Sequence, residues 1–284
     1  MTLLKINGLT KTFGGLRAIL NFDLEVKKGQ IIGLIGPNGA GKTTIFNLIT
    51  GFLHSDSGVV YFKDKKINNL KPYQICKLGI SRTFQLVKPF LEMSVLGNVI
   101  VGSIYGKNEK KISLMNAEKN AIEILDLVKL MSKKNVLASN LTYGDKKRLE
   151  LAKALATNPE LLLLDEVMGG LNPVELSEFM KIIKDINYNG ITLVLIEHVM
   201  QAIMELGVPI PLIPATHSDP WRPPIPIHGG HPFRSMAATS VGAKRRWDFK
   251  IFYRFITFRQ VFVFFSWNLL SIEYDERCEP AGRG

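Results

Sequence analysis

The chain has 284 residues, of which 46% are hydrophobic and 21% charged, and its formal net charge is +11. That is enough apolar material for the core of one large α/β domain or two small ones, which excludes a disordered or fibrous chain. The charge favours an anionic partner, whether nucleotide, nucleic acid or lipid headgroup, without choosing among them. Two cysteines, Cys76 and Cys278, exclude a disulfide framework, and no apolar segment with a charged start follows Met1, so a reducing, cytosolic setting is expected.

The first element with chemical content is "IIGLIGPNGAGKTTIFNLITG", residues 31 to 51. The apolar run Ile31 to Ile35 predicts a buried strand, and the spacing of Ile45, Leu48 and Ile49 predicts a helix. Between them lie Gly36, Pro37, Asn38, Gly39, Ala40, Gly41, Lys42, Thr43 and Thr44, which fit G-x-x-x-x-G-K-[ST] in its strand-loop-helix context. The glycines are needed because the loop must wrap backbone N–H groups around phosphate oxygens, and the following helix aims its positive end at the same charge. In this pattern Lys42 reaches the β- and γ-phosphates and the Thr43 hydroxyl holds Mg²⁺.

Further along, helical spacing at Ile122, Leu125, Val128 and Met131 predicts helix within residues 86 to 140. The stretch "ASNLTYGDKKRLELAKALATNP", residues 138 to 159, is a polar turn followed by a helix with Leu149, Ala152, Leu155 and Ala156 on its apolar face. Thr142 and Gly144 sit at the helix start, where free N–H groups favour an anion; an ordinary N-capped helix fits equally well. In "ELLLLDEV", residues 160 to 167, four leucines predict a buried strand ending in two carboxylates. Asp165 is placed to hold Mg²⁺ through water and Glu166 to act as general base, although acidic pairs at strand ends also occur as solvated turn residues.

Past residue 206 the composition inverts. Residues 1 to 206 carry 23 Lys and 3 Arg, whereas residues 207 to 284 carry 2 Lys and 8 Arg, together with 9 of the 14 prolines and all three tryptophans. Prolines this dense forbid regular helix or central strand, so an irregular tail is expected. It reads more like a changed reading frame than a linker. A Pro-rich spacer or recognition segment, or a basic-aromatic membrane-surface helix within "KRRWDFKIFYRFITFRQVFVFFSWNLLSI", are the other readings of it.

Taken in order, these motifs resemble the ATP-binding subunits of ABC transporters over about residues 2 to 206. "GPNGAGKTT" is similar to the Walker A loop, "RTFQ" to the Q-loop, "LTYGD" to the signature, "LLLLDE" to Walker B, "GGLNP" to the D-loop and "IEHVM" to the switch histidine region. In the details "FGGLRA", "SRTFQ", "GLNPVE" and "IEH" it looks most like subunits that energise branched-chain amino acid importers. The resemblance implies an α/β P-loop NTPase core with a mixed sheet, an antiparallel β portion at about 1 to 30 and 58 to 63, and a helical subdomain at about 86 to 140. It further implies that Phe13 stacks on adenine, that Gln85 touches Mg²⁺ and the attacking water, and that His198 reaches the γ-phosphate. Glu166, His198 and Gln85 are then the catalytic set, and Thr43, Gln85 and Asp165 the metal set.

The same resemblance implies ATP and Mg²⁺ as cofactors, membrane-spanning permease subunits as partners, and a place at the cytoplasmic face of the membrane, with no nucleic acid expected. Because the family shares each active site between two subunits, Thr142 and Gly144 of one would close over the ATP held by Lys42 of the other. The chain departs from the common pattern at Thr142, Tyr143 and Asp145, where Ser, Gly and Gln are usual, and at Val167, where proline is usual. Two rival functions are a non-transport ATPase of the same family and a C-terminally altered product with impaired ATPase.

Overall fold

The computed structural model describes residues 1–107, 112–198 and 206. In chain order it contains strands β1 (Thr2–Phe13), β2 (Leu16–Lys27) and β3 (Ile31–Leu34), helix α1 (Lys42–Ile49), strands β4 (Ser57–Phe62) and β5 (Lys65–Lys66), helix α2 (Pro72–Leu78) and strand β6 (Ile80–Arg82). Helices α3 (Val95–Tyr105), α4 (Leu114–Leu127) and α5 (Tyr143–Ala156) follow, then strand β7 (Leu161–Asp165), helix α6 (Pro173–Tyr188) and strand β8 (Thr192–Ile196). The readings placed on residues 207 to 284 lie outside the described residues.

The strands form two sheets, one antiparallel in the order β2-β1-β4-β5 and one parallel in the order β3-β8-β7-β6. The antiparallel sheet is the β portion expected at about 1 to 30 and 58 to 63, and the sequence patterns explain why it stands apart from the parallel strands. β1 and β4 carry polar residues on one side, which suits an antiparallel sheet with one wet face. β7 and β8 are buried at every position, so they need cover on both faces and sit in the middle of the parallel sheet.

The run of leucines in β7 is thereby accounted for. Leu161 and Leu163, with Val194 and Ile196 of β8, face a core shared with the antiparallel sheet and α1. Leu162 and Leu164, with Leu193 and Leu195, face a second core built from α3, α4, α5 and α6. Alternation along a strand thus joins two cores through one sheet.

The helices start where their caps dictate. Ser94, Ser113 and Thr142 each accept an N–H from three residues on, at the heads of α3, α4 and α5. At α6, Asn172 accepts from Val174 and Glu175 while Glu175 accepts from the Asn172 N–H, with Pro173 at the first helical position. Helices α3 and α4 both fall within residues 86 to 140, and they pack on α5 through Val95, Val99, Ala121, Leu125 and Ala152.

Candidate active site

The loop from Gly36 to Gly41 leaves the carboxyl end of β3 and runs directly into α1, where a phosphate would meet the helix N-terminus. Pro37, Asn38 and Gly39 are exposed, whereas Ala40 is fully buried and anchors the loop. Gly39 and Gly41 have φ of 83° and 85°, and a Cβ on Gly41 would lie 2.5 Å from the Ala18 carbonyl oxygen of β2. Nothing but glycine fits there. α1 has no side-chain cap and no acidic residue in its first turn, so its leading N–H groups are offered to a ligand rather than to the protein.

Lys42 folds back over this loop and donates from Nζ to the carbonyls of Gly36 at 2.7 Å and Pro37 at 2.9 Å. Burial pulls its pKa below the ordinary value, while the nearby charges of Glu166 and Asp165 oppose that shift. The ammonium therefore sits within electrostatic reach of both carboxylates. Phe13, at the open end of β1, is 43% exposed rather than packed in the core, with the Lys11 ammonium 5.5 Å from its ring centre.

The catalytic and metal candidates converge at the ends of β6, β7 and β8. Gln85 donates from Nε2 to Oε2 of Glu166 at 2.6 Å, and Nε2 of His198 lies 2.9 Å from Oε1 of the same carboxylate. Glu166 is held in the left-handed backbone region at φ 50°, a conformation costing about 1–3 kcal/mol for a non-glycine residue and characteristic of functional positions. Its N–H donates to the Ile196 carbonyl at 2.8 Å, and its own carbonyl accepts from Nζ of Lys147 at 2.9 Å. These bonds hold the strained turn in place.

Asp165 is 1% exposed, and its Oδ1 is the buried side-chain oxygen that has no hydrogen-bond partner among the described residues. An orphaned carboxylate oxygen suits a hydrated divalent cation, so the donor set of Asp165 and the Thr43 hydroxyl fits Mg²⁺. Burial raises the Asp165 pKa, and the Arg82 guanidinium opposes that rise. Thr43, Gln85 and Asp165 all line one groove of about 760 Å³, whose outer walls are the exposed Phe52, Tyr73, Phe84 and Leu86.

Thr142 and Gly144 lie elsewhere. Thr142 is exposed at the start of α5, donating to Oδ2 of Asp145 at 2.9 Å, and Lys133 pairs with the same oxygen. Gly144 is buried against the Glu175 carboxylate, where a Cβ would approach Oε1 to 2.6 Å. Among the described residues no hydrogen bond or ion pair joins them to the phosphate loop of the same chain. Tyr143 lies against Gly170, and Val167 joins the helical core.

Three residues of the site escaped the sequence reading. Arg82 donates from Nη2 to Asp165 Oδ2 at 3.0 Å, Lys147 holds the Glu166 carbonyl, and the 2%-exposed Glu197 accepts the Met168 N–H at 2.9 Å. Burial raises the Glu197 pKa to about 7. All three are long-range contacts; for Arg82 and Glu197 the signal that could have flagged them was a charge inside or beside an apolar strand, whereas Lys147 lies within α5 and carries no such mark.

A glycine loop and a strand-end aspartate at the carboxyl edge of parallel strands define a P-loop nucleotide-binding protein. The ABC transporter family matches residues 19–169. The chain is 41% identical over 217 residues to the high-affinity branched-chain amino acid transport ATP-binding protein LivG of Escherichia coli (strain K12), covering 72% of this chain and 85% of LivG. Among solved structures, a nucleotide-free ATP-binding cassette from an ABC transporter superposes with a TM-score of 0.67 at 32% identity, covering 75% of this chain and 88% of the cassette. A dimeric cassette in a post-hydrolysis state bound to ADP and Pi gives a TM-score of 0.68 at 26% identity, covering 76% and 97%. This chain belongs to the ABC transporter family of ATP-binding proteins.

Proposed function

We propose that the chain binds and hydrolyses ATP as the energising subunit of an importer for branched-chain amino acids. The observation that carries this reading is the Glu166 carboxylate gripped by Gln85 and His198, beside the orphaned oxygen of Asp165. With ATP bound, Lys42 exchanges the Gly36 and Pro37 carbonyls for phosphate oxygens, and the α1 N-terminus takes the remaining charge. Phe13 supports the adenine. Thr43 and Asp165 hold Mg²⁺, with Gln85 beside them; when bound, the ion neutralises charge on the phosphate oxygens.

Glu166 accepts the proton of a water whose oxygen attacks the γ-phosphorus as the bond to the ADP oxygen breaks. Gln85 and His198 fix the orientation of that carboxylate. Thr142 and Gly144 serve the site of a second ATPase subunit, a role supported by Thr142 being exposed and bonded locally to Asp145. The groove walled by Phe52, Tyr73, Phe84 and Leu86 receives a membrane-spanning permease subunit, which places the chain peripherally at the cytoplasmic face of the membrane. No helix among the described residues is long and apolar enough to cross a membrane.

The test is ATP hydrolysis by the full chain, alone and reconstituted with permease subunits, with branched-chain amino acid uptake as the second readout. Loss of nucleotide binding in Lys42→Ala and of hydrolysis in Glu166→Gln is expected. A wild-type chain that hydrolyses no ATP, or one whose hydrolysis survives both substitutions, refutes the proposal.

A further inference from the structure

The guanidinium of Arg82 occupies a position that the ATPase reading does not use. It is 5% exposed and forms three directed contacts: Nη2 to Asp165 Oδ2 at 3.0 Å, Nη1 to the Asn47 Oδ1 of α1 at 2.6 Å, and Nε to the Thr83 carbonyl at 3.3 Å. Its plane centre lies 4.7 Å from the Phe84 ring centre and 5.8 Å from that of Phe46. The Asp165 N–H donates to the Thr83 hydroxyl at 3.2 Å, so the aspartate is fixed through its backbone and through one carboxylate oxygen. The other oxygen, Oδ1, is buried without a partner among the described residues.

We infer that Arg82 is a positioning residue for the metal carboxylate: by taking Oδ2 of Asp165 it locks the side-chain rotation that presents Oδ1 to the metal. A planar fork braced on Asn47 and Phe84 holds one rotation, where a lysine would supply a single mobile point charge. The bracing also ties the metal carboxylate to α1, which carries Lys42 and Thr43, and to the loop that carries Gln85. Residues that orient a metal ligand in this way contribute about 10–100-fold to metal affinity.

The inference rests on the Mg²⁺-dependent nucleotide site proposed above, and the experiment separates the two. Mn²⁺ is the probe, its affinity measured by electron paramagnetic resonance on the full chain saturated with ADP, while ADP affinity without metal is measured by calorimetry. In Arg82→Ala, Mn²⁺ affinity is expected to fall about 10–100-fold with metal-free ADP affinity unchanged, and Arg82→Lys to recover part of the loss. Asn47→Ala, which removes one brace without touching Asp165, is expected to shift Mn²⁺ affinity in the same direction by less; this variant keeps the test open if Arg82→Ala does not fold. Unchanged Mn²⁺ affinity in the folded variants overturns the inference. A rise in affinity overturns it too, since it would make Arg82 a competitor of the metal. A wild-type chain that binds no Mn²⁺ with ADP defeats the nucleotide-site proposal as well.

Discussion

His198 and Glu166 meet across two neighbouring parallel strands, Nε2 to Oε1 at 2.9 Å, although 32 residues separate them in the chain. The register that pairs Asp165 with Ile196 brings the two residues within reach, because each follows its strand end closely. A carboxylate oxygen only accepts, so the contact needs a proton on the histidine Nε2, leaving Oε1 directionally fixed. Replacing Glu166 by Gln keeps the shape and removes the base. Hydrolysis should fall about 10²- to 10⁴-fold while ATP affinity is retained, as read from phosphate release and fluorescent-nucleotide binding.

Gly41→Ala tests the loop sterically. The added methyl meets the Ala18 carbonyl oxygen at 2.5 Å and the backbone must keep φ at 85°, so the loop has to move. A stability loss of about 1–3 kcal/mol in urea denaturation is expected, together with loss of nucleotide binding. Gly39→Ala shares the strained φ but has open space around it, so its stability cost should be the smaller of the two.

Much of this architecture was legible in the chain. Ile31 to Leu34, the glycine loop and the run Leu161 to Leu164 announced their elements through period, punctuation and branching, and the carboxylates at the end of β7 marked where that strand stops. What local pattern could not supply was pairing. Nothing near Arg82 says that its partner is Asp165, 83 residues on, or that Lys147 reaches back under the turn at Glu166. Nor does "IEH" reveal that its glutamate turns inward while its histidine stays 43% exposed, since both follow the same apolar strand.

Glu197 gives the protein a predictable response to pH. Burial raises its pKa from 4.5 to about 7, so the folded state binds this proton more tightly than the unfolded chain does. Its contribution to stability is therefore greatest below 4.5, declines as pH rises towards 7, and is level above that. The span corresponds to at most on the order of 3 kcal/mol. Glu197→Gln, whose amide oxygen still accepts the Met168 N–H, should flatten the stability profile between pH 5 and pH 7 in denaturant titrations.

Thr142→Ala removes the cap of α5, whose Oγ1 accepts the Asp145 N–H at 3.3 Å. The expected loss is about 0.5–2 kcal/mol, restored by Thr142→Ser, and visible as a lower midpoint in chemical denaturation. Because Thr142 is exposed and bonded to Asp145, and is proposed above to serve a second subunit's site, hydrolysis should fall further than ATP affinity.

The groove between Phe52, Tyr73, Phe84 and Leu86 has Asp165 and Arg82 at its base, and Phe84 lies on both Arg82 and Phe52. A partner that seats itself against Phe84 would press on the Arg82 guanidinium that pairs with Asp165. If it grips the nucleotide-loaded form more tightly than the empty one, nucleotide must bind more tightly by the same factor when the groove is filled, because the two preferences are a single free energy measured from either end.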